Sequence, residues 1–85
     1  MTCTHRLPVS TGYASGFGEI RVWCGRCEAP VQPTVKWAER YRAARMRKMD
    51  RELDSGWLSP NHYNSVQREM DELVKIVREQ VSANA

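Results

Sequence analysis

The sequence predicts a small α+β protein: a β-hairpin knob followed by an antiparallel two-helix hairpin. Three observations lead there. All three cysteines and four of the five glycines fall in residues 1–32. Residues 33–85 instead hold two stretches of helical apolar spacing. Between those stretches stands a short run of stop and start signals, Ser55-Gly56 and then Ser59-Pro60.

At 85 residues the chain is one domain at most, built of a knob over 1–32 and a hairpin over 33–85. So small a chain buries a limited core and needs a staple such as a metal, a disulfide or a partner. With 41% hydrophobic and 27% charged residues it is foldable rather than disordered. A net charge of +3 and a pI near 9.0 are compatible with a polyanionic partner without demanding one.

In the knob, "EIRVW" alternates Ile20 and Val22 on one side with Arg21 and Trp23 on the other, the pattern of a short strand. Its expected partner is "LPVS", residues 7–10, with "TGYASGFG" as the flexible connection. Trp23 should cover the other side of this ribbon, against the first helix.

The first helix is expected over 34–54, with Thr34 as cap or Pro33 in the first turn. Val35, Ala38, Met46, Met49 and Leu53 share a side, interrupted by Arg42. The second is expected over 60–81, capped by Ser59 with Pro60 at the first position. Tyr63, Val66, Met70, Leu73 and Val77 form a heptad seam, broadened by Val74 and Val81. A short loop forces the helices antiparallel, face to face. Trp57, in that loop, is expected to be local core.

The knob carries the strongest chemical signal. Cys24 and Cys27 have the spacing at which a tight turn brings two thiolates to one metal. Cys3 and His5 are two apart, so on an extended segment both face the same way. Together they make a candidate four-ligand zinc site, one Zn2+ per chain, turning the knob into a zinc-stabilised β-hairpin. On these four residues, over about residues 3–30, the chain resembles the zinc-ribbon group. It departs from that pattern in having C-x-H as its first knuckle and Gly25 inside its second. A structural zinc is worth on the order of 10 kcal/mol of folding free energy. Its full coordination sphere leaves no open position for catalysis.

Other assignments compete for these residues. Cys3 could be a free thiol and His5 part of a frayed terminus. His62, at the start of the second helix, is a spare ligand that would clamp the hairpin to the knob if it replaced His5. A redox Cys-x-x-Cys opens a helix in a βαβ setting, whereas Pro30 and Pro33 follow here. An odd cysteine count argues against a secreted disulfide framework. No apolar run suits a signal or a membrane span. A reduced, cytoplasmic protein is therefore expected.

No enzyme is visible. Ser10, Ser15 and Ser55 have no histidine partner in sequence reach, the glycine-rich stretch lacks the Lys-Ser/Thr of a phosphate loop, and Asp50, Glu52 and Asp54 look like a solvated helix end. No small-molecule substrate is implied.

The first helix holds seven basic residues against four acidic, the second three against four. Lys36, Arg40, Arg47 and Arg51 fall in one stripe, with Trp37, Tyr41 and Ala44 beside it. Such a stripe can track phosphates, though it is also what a solvated helix face looks like, with Trp37 and Tyr41 packed on the knob. The first function expected is a non-enzymatic, regulatory binding module contacting nucleic acid or nucleic-acid machinery through those four cations. The second is a protein adaptor or inhibitor, homodimeric or heteromeric, using the seam of Tyr63, Val66, Met70, Leu73 and Val77, with Met46 and Met49 as adaptable contacts. The overall build resembles small accessory proteins of bacteria and their phages, which bind nucleic acid or dock on a host enzyme.

Overall fold

A computed structural model describes residues 3–9, 11–16 and 18–83. It shows a three-stranded antiparallel sheet followed by two helices: β1 (Tyr13–Gly16), β2 (Glu19–Trp23), β3 (Pro30–Val31), α1 (Val35–Asp54) and α2 (Pro60–Ala83). The strands lie in the order β1-β2-β3. Ile20 and Val22 turn inward, as their alternation requires, and are buried at 2% and 1% exposure.

The partner of β2 corrects the expectation from sequence. Residues 7–9 form no strand, and Ser10 lies outside the described residues. The pairing strand is instead β1, drawn from the stretch expected to be the connection, with Tyr13 opposite Val22 and Gly16 opposite Glu19. The physical reason is loop closure: this register leaves two residues to reverse the chain. Gly18 supplies the left-handed conformation such tight turns need, at φ 74°.

β3 pairs only at Val22–Val31 and Trp23–Pro30. Beyond it, Gln80 of α2 continues the ladder with its side chain. Its Oε1 accepts the Ile20 N–H at 2.9 Å and its Nε2 donates to the Ile20 carbonyl at 3.2 Å. The second helix is thereby fastened to the middle strand by backbone-like bonds.

Both helices start as their caps predict. Thr34 Oγ1 accepts the Trp37 N–H at 3.1 Å, and Ser59 Oγ accepts the His62 N–H at 3.3 Å. The helices pack against each other through Ala38, Met46 and Met49 of α1 and Val66, Met70, Leu73 and Val77 of α2. Arg42, which breaks the apolar side of α1, has a reason: its Nε pairs with Asp71 of α2 at 2.8 Å. Arg78 pairs with Glu39 at 2.8 Å in the same way. These exposed pairs fix register more than stability, at about 0–1 kcal/mol each.

The knob docks through aromatic rings. Tyr13 of β1 meets Tyr41 edge-on at 5.4 Å and Trp37 at 6.3 Å between centroids, and Trp37 lies 5.4 Å from Tyr41. Tyr13 also donates its hydroxyl to Glu69 at 3.0 Å. Burial, followed by that bond to a carboxylate, pushes its phenol up to about 12. Two other tryptophans depart from expectation. Trp23 is 41% exposed on the outer face of the sheet, and Trp57 is 87% exposed in the interhelical turn. Leu58, the next residue, supplies the inward contact there instead. No helix among the described residues is long and apolar enough to cross a membrane.

Candidate metal centre

The four candidate ligands arrive on two segments. Cys24 and Cys27 flank a turn at the end of β2, closed by Cys24 N–H to Ala29 O at 2.8 Å and Glu28 N–H to Cys24 O at 3.0 Å. Cys3 and His5 come from the N-terminal segment laid against that turn. Here the expected geometry needs amending: His5 is not extended but left-handed, at φ 51°. Glu28, at φ 61°, is the other non-glycine residue in that region among those described. Such conformations persist where surrounding contacts over-determine them; His5 belongs to this cluster and Glu28 directly follows Cys27.

Gly25 explains how the segments come so close. A Cβ there would sit 2.7 Å from Pro8 Cγ and 3.0 Å from Thr11 Oγ1. Pro8 and Thr11 form a turn of their own, Thr11 N–H to Pro8 O at 2.9 Å. The glycine inside the Cys-x-x-Cys is therefore the seat on which the N-terminal segment rests. Sequence reasoning noticed Gly25 without its use, because nothing local says that Pro8 will cross it.

The ligand atoms of Cys3, His5, Cys24 and Cys27 all lie within 4.8 Å of one another. Cys3 Sγ is 3.5 Å from Cys24 Sγ, and Cys27 Sγ is 3.4 Å from His5 Nδ1. Tetrahedral ligands at zinc distances are separated by about 3.7 Å, so a donor set gathered within 4.8 Å is compatible with one ion of that kind. The cluster is half-sunk: Cys24 is buried, Cys3 partly so, and His5 and Cys27 are exposed.

Backbone donors already favour thiolates here. The Arg26 and His5 N–H groups point at Cys24 Sγ and Cys3 Sγ, each at 3.5 Å. The Cys27 and Arg26 amides, helped by His5 and Cys3, bring the Cys24 thiol down to about 6 against the opposing effect of burial. Cys27 behaves oppositely. The Ala29 amide lowers its pKa, but hydrogen bonding with Cys3 and Cys24, burial and the Cys24 charge together raise it.

His62 does not belong to this group. It lies exposed in the first turn of α2, and the metal-competent cluster contains His5. Lys36, Arg40, Arg47 and Arg51 are all exposed on α1, and none is in an ion pair among the described residues. The aromatics expected beside them are not free: Trp37 is buried and Tyr41 half-buried against Tyr13. The seam is likewise taken up inside the chain. Val66, Met70, Leu73 and Val77 are buried against α1 and β2, and Tyr63 is half-buried with its hydroxyl donated to Asp50 at 2.7 Å. Those residues cover the chain's own core rather than a face open to a partner.

No family model, no curated protein and no solved structure matches this chain. What the fold and site define is a small α+β protein with four Cys and His side chains positioned to bind one metal ion.

Proposed function

We propose that this chain is a non-enzymatic, zinc-stabilised binding module that contacts nucleic acid through the outer face of α1. Three sulfurs and one imidazole nitrogen within 4.8 Å of one another make the donor set of a structural zinc site. Cys3, His5, Cys24 and Cys27 would hold the ion and tie the N-terminal segment to the turn after β2. With all four positions supplied by the protein, the ion acts as a fold staple rather than a Lewis acid.

The observation that carries the nucleic-acid reading is the placement of Lys36, Arg40, Arg47 and Arg51. They are exposed, unpaired among the described residues, and set on the side of α1 opposite the buried Ala38 and Met49. At 1.5 Å per residue the stripe runs about 22 Å along the helix. Asp71, Glu39, Glu69 and Asp50 are drawn into contacts with Arg42, Arg78, Tyr13 and Tyr63. The stripe keeps its charge for an external polyanion.

Fluorescence anisotropy with a labelled oligonucleotide, over a series of salt concentrations, tests this. Binding should weaken steeply with salt. Lys36→Gln, Arg40→Gln, Arg47→Gln and Arg51→Gln together should flatten the log–log salt slope by roughly 3. Binding that ignores salt, or that survives the four substitutions unchanged, contradicts the reading.

A further inference from the structure

The turn between the helices presents a large apolar side chain on a rigid base. Trp57 is 87% exposed, about twice the fraction of Trp23. Yet its backbone N–H is tied to the helix end. Ser55 N–H bonds Arg51 O at 3.1 Å, Gly56 N–H bonds Leu53 O at 3.2 Å, and Trp57 N–H bonds Glu52 O at 3.0 Å. Gly56 takes the left-handed conformation at φ 83°. This is a Schellman cap, in which the residue at Trp57's position commonly folds back onto the last helical turn. The positions it would cover here are Glu52 and Arg51, both charged. Leu58 takes the inward position instead. In sequence this turn follows Arg51, the last cation of the α1 stripe.

We infer that Trp57 is a base-stacking residue, and that the polyanion bound along α1 is single-stranded nucleic acid. The inference rests on the nucleic-acid reading of α1 and narrows it. A duplex hides its base faces in the stack, whereas a single strand offers them to an aromatic ring while its phosphates follow a row of cations. Arg51, Arg47, Arg40 and Lys36 supply that row, leading away from Trp57 along one helix face. A rigid turn gives the ring a fixed place, so little ordering is lost on stacking.

The test compares a labelled single-stranded oligothymidylate with a hairpin duplex of equal phosphate number, by anisotropy and by quenching of tryptophan fluorescence. Trp57→Ala leaves the core untouched because the side chain is in solvent. It should weaken single-strand binding roughly five- to a hundredfold. The salt slope should be unchanged, since no phosphate contact is lost, and duplex affinity should stay within about twofold of the parent. Trp57→Phe should recover part of the loss. If Trp57→Ala leaves single-strand affinity within about twofold while the four-glutamine variant abolishes it, stacking is overturned and the nucleic-acid reading stands. If neither strand form binds the unsubstituted protein, both fall together.

Discussion

The two halves of this chain solve the problem of small size in different ways. The hairpin holds itself: Met46, Met49, Val66, Met70, Leu73 and Val77 form a continuous buried seam, and caps close both helix starts. The knob has no such seam among its described residues. Ile20 and Val22 are spent on the helices, and residues 3–9 belong to no strand. What gathers the N-terminal segment is the Cys3–His5–Cys24–Cys27 cluster and the seat at Gly25. On the proposed zinc reading, the contrast teaches that hydrophobic burial and metal ligation are alternative staples that one chain can divide between its ends.

The comparison breaks most sharply on removing a ligand. Cys24→Ser should forfeit most of a stabilisation on the order of 10 kcal/mol drawn from the ion. Hydrogen exchange should show protection lost across residues 3–31 and kept over much of α1 and α2. Leu73→Ala attacks the other staple. Opening a cavity at a side chain only 2% exposed should cost about 2–5 kcal/mol, read as a lower midpoint in thermal or urea unfolding, with metal stoichiometry unchanged. Gly25→Ala is subtler. Its Cβ would collide with Pro8 at 2.7 Å, so the N-terminal segment must lift. Metal affinity, measured by competition with a chromophoric chelator, should fall about tenfold, for a strain of about 1–3 kcal/mol.

The smallest effect lies at the joint between the halves. Tyr13 ionises at about 12 in the folded protein, above its ordinary 10.0. A folded-state pKa raised in this way gives stability that is complete below pH 10 and lost as pH rises through about 12. A tyrosinate absorbance titration should resolve this late phenol, and Tyr13→Phe should remove it.

Much of the hairpin was legible because helices carry redundant signals. Thr34 and Ser59 mark starts, Gly56 marks a stop, and Val66, Met70, Leu73 and Val77 repeat at the helical period. The grouping of Cys3, His5, Cys24 and Cys27 was legible from spacing. The pairing of β2 was not. Tyr13–Gly16 is short, poor in β-formers and glycine-flanked, so it reads as a loop until the two-residue turn is seen to close it. Nor did composition reveal that Trp57 would stand in solvent, because that depends on the turn that sets its direction, Trp57 N–H to Glu52 O and Gly56 N–H to Leu53 O. Arg42 looked like a flaw in an apolar face until Asp71 was placed opposite it.

The most direct measurement of the central claim is native mass spectrometry of protein purified without added metal, run with and without a chelator and paired with circular dichroism. The account predicts one zinc per chain, removed by the chelator together with the order of the knob. A chain that carries no zinc and is unchanged by the chelator would contradict it.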